Sequence, residues 1–311
     1  MSTTKVAMYV TFMFALAAAQ DRTSQEVLKD LPLPWVVATL HFGAGMLWIF
    51  PAWTIGLRQT PSLNDLQRSK ISPLAFLHAA GHLCDLGVFS AGSMALTHVF
   101  QQAGEPLVVC LASWLAVEQA QDVVAWLALL PLIAGVVITF QEVLTGSVVS
   151  HAVAACAVLV GGTRTALSQQ VMAEEAIALK GQLCSVVFVS GCLALVPFAL
   201  VMEGAQLVGE WERAAALVGN SALVIKIIQG GTLFYMWSEC LFGLVEEAGA
   251  LTAALAVAVR PVAVYAFSAA FWGGGWTNLG AAGTALTAVG AALFSAATHK
   301  YMLKQPLSKQ Q

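Results

Sequence analysis

Apolar stretches of nearly membrane-spanning length, each closed by a short polar loop, fill this 311-residue chain almost end to end. They fall at 6–20, 34–57, 71–95, 97–117, 123–140, 147–171, 181–202, 223–243, 248–272 and 279–301. A helix needs roughly 20 apolar residues to cross the hydrocarbon core. Inside a bilayer only helices and closed barrels satisfy their own backbone groups. The pattern predicts an all-α membrane protein of ten transmembrane helices. Charged residues make up 10% of the chain, against about 25% in an ordinary soluble domain, so little sequence remains for a soluble domain.

The first stretch is short. With Lys5 ahead of it and Ala17-Ala18-Ala19 at its end, it also fits a cleavable signal peptide. The stiff Leu-Pro-Leu-Pro turn at 31–34 precedes the second stretch, which holds His41. Residues 203–217 are expected to form an amphipathic surface turn between the seventh and eighth stretches. The six cysteines all lie in apolar segments without CxxC spacing, so they are expected to be packing residues.

Ten spans place both termini on one side. That side collects Lys5, Arg58, Arg68, Lys70, Lys180, Lys300, Lys304 and Lys309, whereas the other holds only Arg22, Lys29 and Arg213. The excess predicts cytosolic, or equivalent organellar, termini. An internal repeat is also visible. Pro106 precedes Gly135 by the same distance as Pro261 precedes Gly290, and each proline is expected to interrupt the fourth helix of a five-helix half. An odd number of helices per half gives the halves opposite topology, a design that places transporter sites near the midplane. The expected division is 1–143 and 144–311.

Residues 77–106 carry the densest polar pattern. His78, His82 and Asp85 share one helix face, and His98, Gln101, Gln102 and Glu105 share one face of the next. Arg164, Lys226, Glu239 and Arg260 lie within later spans. A charge at the bilayer centre costs about 2.5–3.5 kcal/mol on insertion scales, so these groups must face a wet cavity or one another. A structural reading pairs Glu105 with Arg260. A metal-site reading combines His78, His82 and Asp85 with His98 or Glu105. A cavity wall explains the stripe of His, Gln and Asp best, and no metal is assigned. Trp237, on the face of the eighth span that carries Lys226, is a core residue or a cavity aromatic.

At this point the residues resemble a known family. The segments LPLPWVVATLHFGAG (31–45), PAWTIGLRQTP (51–61), LHAAGHLCDLGVFSAGSMALTHVFQQAGEP (77–106), FQEV (140–143), TRTALSQQVM (163–172), PFALVMEGAQL (197–207) and GTALTAVGAALFS (283–295) resemble the triose-phosphate/phosphate translocators of the drug/metabolite transporter superfamily. The resemblance implies the drug/metabolite transporter fold, ten transmembrane helices as two inverted five-helix repeats. It further implies an antiporter that exchanges phosphate for phosphorylated metabolites by alternating access, with no enzymatic chemistry and no cofactor. The expected partners are a small-molecule substrate and the lipid bilayer, with no nucleic acid.

Carried over residue by residue, the resemblance places the site histidine at His82, the sixth-helix arginine at Arg164, the first ninth-helix cation at Arg260 and the eighth-helix aromatic at Trp237. The departures are as informative. Asp85 stands where the family has threonine, Gln101 or Gln102 where it has lysine, and Pro261 where it has the second cation of a pair. The substrate-contact set is therefore His82, Asp85, Gln101, Gln102, Arg164, Trp237 and Arg260, with His78, His98, Glu105, Lys226 and Glu239 accessory. A phosphate dianion needs several charge-assisted donors to offset its lost hydration, so an altered specificity is expected. The alternatives are a nucleotide-sugar or other organic-solute carrier and a non-transporting homologue. The resemblance implies a plastid envelope. A plastid precursor is expected to carry a transit peptide, and only four residues precede Lys5, so either the chain is trimmed or it enters through the secretory route, to an outer membrane of a complex plastid or to the Golgi/ER.

Overall fold

A computed structural model describes residues 3–90, 94–117, 123–139, 148–173, 182–271 and 277–304, with the side chains of 94–102, 116–117, 261, 264–271 and 299–304 outside the description. The described residues form ten helices: α1 (Thr3–Asp30), α2 (Pro34–Thr54), α3 (Asp65–Ser90), α4 (Met94–Val117), α5 (Val123–Thr139), α6 (Val148–Ala173), α7 (Leu183–Val218), α8 (Asn220–Ala248), α9 (Ala250–Phe271) and α10 (Asn278–Lys304). Four of them contain stretches long and apolar enough to cross a membrane: Pro34–Thr54, Val148–Ala173, Leu183–Val218 and Asn278–Thr298. All six cysteines are free.

Several boundaries differ from those read in the sequence. The expected surface turn at 203–217 is helical, because α7 runs for 36 residues without a break. Its Glu203 is engaged at the start of another helix. Pro34 begins α2 without a side-chain cap, and the Glu203 carboxylate accepts hydrogen bonds from Trp35 N (3.2 Å) and Val36 N (2.9 Å). Helix starts expose backbone N–H groups that need such acceptors. At the start of α9, Gln169 Oε1 accepts from Ala250 N at 2.8 Å in the same way. Gly219 and Gly249, at φ of 87° and 82°, separate α7 from α8 and α8 from α9. Left-handed backbone of this kind strains any residue with a Cβ.

Pro106 and Pro261 do not interrupt their helices; α4 and α9 each continue through them. Proline removes one backbone bond, and packing on neighbouring helices tolerates the loss.

The helices pack into two compact units, residues 1–93 with 174–247 and residues 94–173 with 248–311. The first unit contains α1–α3, α7 and nearly all of α8. Its α2 and α7 meet through exchanged side chains: a Cβ on Gly45 would lie 2.6 Å from Phe188 Cδ1, and one on Gly191 would lie 2.8 Å from Phe42 Cε1. The second unit contains α4–α6, α9 and α10. Its core includes Val109, Cys110, Leu129, Leu251 and Phe294.

On α5 and α10 the approach is closer still. Gly135 faces the Thr287 backbone nitrogen, and Gly290 faces that of Leu132. Without a side chain, backbones can touch, which small residues permit in helix pairs. Gly290→Ala is expected to destabilise the protein by about 1–3 kcal/mol, because its new methyl meets backbone that cannot swing aside. Thermal unfolding in detergent, followed by circular dichroism, checks this; an unchanged midpoint would contradict the packing.

Candidate functional site

In the first unit, α3 places His78 and His82 one turn apart, and both are fully buried, at 0% and 1% exposure. The shared face read from their spacing is therefore an interior face. His82 Nε2 lies 3.0 Å from Nδ1 of His41 on α2. Its ring stacks on Phe234 of α8, with centroids 3.7 Å apart and planes inclined by 12°. His78 Nε2 lies 3.2 Å from Ser238 Oγ, and its ring stacks on the same Phe234 at 5.3 Å. Phe42 and Phe188 close the cluster, 4.8 Å apart. Trp237 joins it by stacking on Phe234 at 6.2 Å, and Asp85, one turn beyond His82, is half-buried.

The cluster has a clear logic. An imidazole needs a hydrogen-bond partner when buried, and each of these has one. Phe234 is the hub, an apolar residue that a search for polar stripes passes over. Its only sequence signal is a place three residues before Trp237. His41 is more accessible to sequence reasoning, as a lone histidine in the apolar second stretch.

The accessory charges of this unit also have partners. Arg58, just after α2, grips Glu239 with both arms: Nη1 reaches Oε1 at 2.6 Å and Nη2 reaches Oε2 at 3.2 Å. Tyr235 donates to the same carboxylate at 2.6 Å. Paired donors in this fork arrangement give strong, oriented recognition of a carboxylate. Lys226 donates to Asp30 Oδ2 at 2.7 Å. It also lines a groove of about 510 Å³ with Arg22, Thr23, Glu26 and Gln229. Arg58 and Asp30 lie beyond the apolar stretches, so hydropathy alone does not mark them as partners for charges inside.

In the second unit, Glu105 on α4 and Arg164 on α6 form an ion pair at 3.8 Å, with side chains 5% and 7% exposed. Thr165 Oγ1 donates to Glu105 Oε1 at 3.1 Å. The charge of Arg260 acts on the same carboxylate. The pair shown at Glu105 is thus with Arg164, and Arg260 is an additional electrostatic neighbour. Glycines bring the two helices together here: a Cβ on Gly162 would lie 2.6 Å from Val108 Cβ, and one on Gly104 would lie 2.6 Å from Val158 Cγ1.

The structure therefore gathers His78, His82 and Trp237 in one unit, and Glu105, Arg164 and Arg260 in the other. His98, Gln101 and Gln102 lie on α4, with side chains outside the described residues. Among the described residues, no group of three or more His, Cys, Asp or Glu side chains is placed to hold a metal ion.

The model of the Triose-phosphate Transporter family matches residues 4–295. The chain is similar to the chloroplastic glucose-6-phosphate/phosphate translocator 1 of Arabidopsis thaliana, at 24% identity over 294 residues, covering 94% of this chain and 75% of that protein. It is similar to the chloroplastic triose phosphate/phosphate translocator of Flaveria pringlei at 23% identity, covering 88% of this chain and 66% of that one. The corresponding protein of Solanum tuberosum is 24% identical, with 88% and 65% covered. The chain thus spans slightly less than two thirds of those two triose phosphate translocators. One solved crystal structure has the same fold at a TM-score of 0.59 and 16% identity, covering 98% of this chain and 100% of that chain.

Proposed function

Because this chain belongs to the Triose-phosphate Transporter family, we propose that it is a secondary-active antiporter, and not an enzyme, that exchanges sugar phosphates or related small organic anions for phosphate. The observation that carries this reading is the family match over 4–295, together with relatives named as glucose-6-phosphate/phosphate and triose phosphate/phosphate translocators. The solute moves by alternating access, without covalent chemistry.

The proposed architecture is ten spans in two inverted repeats, 1–143 and 144–311. Two reciprocal contacts support it. The shift along the chain that carries Gly135 onto Gly290 also carries Leu132 onto Thr287, so the α5–α10 contacts exchange with one another. The same shift carries Pro106 onto Pro261. On α2 and α7 a slightly shorter shift carries Phe42 onto Phe188 and Gly45 onto Gly191, again exchanging the contacts.

The residues that contact solute are His82, Asp85, Gln101, Gln102, Arg164, Trp237 and Arg260, with His78, His98, Glu105, Lys226 and Glu239 in supporting roles. What supports this choice is the resemblance together with the burial of His82 and Arg164, since buried ionisable groups inside a membrane protein mark solute pathways. Specificity differs from the relatives. Asp85, the glutamines and Pro261 make the site less positive than the resemblance implies, which favours a less anionic solute or a proton-coupled one. The membrane is a plastid envelope or a complex-plastid membrane, with the Golgi/ER as the alternative.

Proteoliposome counter-exchange tests the proposal across phosphate, triose phosphate, phosphoenolpyruvate and nucleotide sugars at two pH values. Exchange of at least one phosphorylated solute against phosphate, lost in His82→Ala, is expected. Exchange that survives His82→Ala and Arg164→Ala would remove this site. Responses to nucleotide sugars alone would favour the other carrier class, and the absence of any exchange a non-transporting homologue.

A further inference from the structure

The helices α1 and α8 run antiparallel, tied at one end by Lys5 and Glu247 and at the other by Lys226 and Asp30, each pair 2.7 Å apart. Beside the second tie lies the groove of about 510 Å³, within the range of small-molecule sites. Ala18 and Ala19 line its inner end with nothing larger than methyl groups, and Arg22, Glu26, Lys226 and Gln229 line the rest with Thr23. On α1 the apolar stretch 6–20 ends inside the groove, and on α8 the stretch from 223 begins with Lys226 in its first turn. The wall therefore changes from apolar to charged between Ala18 and Glu26, about 12 Å at 1.5 Å per residue. Taking α1 and α8 as two of the proposed spans, this is the depth at which hydrocarbon gives way to headgroups.

The same gradient continues along α1. Met8, Phe12, Ala15, Ala19, Arg22 and Glu26 share one face at helical spacing, and all six are exposed. The outer stripe is apolar at its start and charged at its end, which is the profile of a phospholipid. Charge then decides the headgroup. Arg22 Nε donates to Glu26 Oε1 at 3.2 Å, and Lys226 donates to Asp30 Oδ2 at 2.7 Å. Arg213, whose Nη2 donates to the Asp30 carbonyl, is paired with Glu210. Each of these cations has its own carboxylate, so a phosphate dianion gains little net attraction here. A zwitterion matches the groove sign for sign.

We propose that this groove binds a phospholipid whose headgroup joins a phosphodiester to a primary ammonium, as phosphoethanolamine does. The phosphodiester lies at Arg22, Lys226 and Gln229, the ammonium at Glu26, and an acyl chain along Phe12 and Met8. Arg22 and Glu26 are 83% and 48% exposed, so both reach an incoming headgroup. Among the described residues the Nη groups of Arg22 carry no hydrogen bond, which leaves paired donors for phosphate oxygens. A primary ammonium donates hydrogen bonds to a carboxylate. A trimethylated ammonium has no N–H to give, so phosphocholine fits less well.

Native mass spectrometry of the full chain tests this, after incubation in detergent with equal amounts of phosphatidylethanolamine, phosphatidylcholine and phosphatidylglycerol. The ethanolamine lipid should be retained about tenfold over the choline lipid, the effect of one hydrogen bond between charged groups. Glu26→Gln should reverse the order and favour the anionic glycerol lipid, because Arg22 and Lys226 then face Asp30 alone. Arg22→Gln should weaken retention of the ethanolamine lipid about tenfold, for the same reason as the first preference.

An exposed pair such as Arg22 and Glu26 contributes little to the fold, and a folding defect would lower retention of every lipid without reversing their order. Equal retention of the three lipids, or an order that Glu26→Gln leaves unchanged, would overturn the proposal. Displacement of the bound lipid by excess inorganic phosphate would also overturn it and assign the groove to the solute. The measurement involves no transport, so the fate of exchange in His82→Ala bears on the solute site and leaves this result as it stands.

Discussion

Asp85→Thr is expected to strengthen phosphate binding by about ten- to a hundredfold, read as a lower KM in radiolabelled phosphate counter-exchange. Asp85 is half-buried on α3, one turn beyond His82. A carboxylate about 4–6 Å from a bound phosphate opposes it by a few kcal/mol at an effective dielectric near 20. Threonine removes that charge and leaves a hydroxyl that donates to phosphate oxygens. The gain should shrink little in added salt, because a partly buried group is weakly screened. Transport of any solute that the unaltered protein prefers should weaken in the same variant. An unchanged KM for phosphate would show that Asp85 does not face the solute, and the altered-specificity reading would lose its main support.

Arg164→Ala should abolish exchange and also destabilise the fold by about 3–5 kcal/mol, the cost of stranding one partner of a buried pair. The partner is Glu105, 5% exposed, which among the described residues would keep the Thr165 hydroxyl at 3.1 Å and the charge of Arg260. The double variant Glu105→Gln with Arg164→Ala separates the two losses. Removing the stranded charge should recover most of the stability, because neutral replacement of a buried pair is often tolerated. It should recover no exchange, because the cation is still missing. Thermal unfolding and phosphate uptake, measured on the same preparations, check both halves. Recovery of exchange in the double variant would show that Arg164 serves only to neutralise Glu105.

Much of the secondary structure was legible in the chain. Apolar runs and polar breaks placed all ten helices in order, because helix formation in an apolar setting depends on local composition. The ends were less legible. α7 continues through 203–217, and its Glu203 caps the start of α2, a partner that no local pattern announces from so far along the chain. Pro106 and Pro261 looked like breaks but sit inside helices, because neighbours hold the backbone where one hydrogen bond is missing. The Phe-x-x-Gly pair at 42–45 and 188–191 was visible as letters, yet its meaning appeared only when each phenyl ring was found against the other's glycine.

What the sequence determined by itself was the class of the molecule, the order of its helices and which residues share a helix face. His78 and His82 are one turn apart because helical periodicity says so, and that geometry reaches only a few residues. What the tertiary structure decided was the partner of each polar group: His41 and Phe234 for His82, Ser238 for His78, Arg58 for Glu239, Asp30 for Lys226 and Arg164 for Glu105. Those choices depend on the rotation and register of one helix against another. Glycines that let backbones touch and aromatic rings that fill the gaps set both, and such matching between distant segments has no local signature.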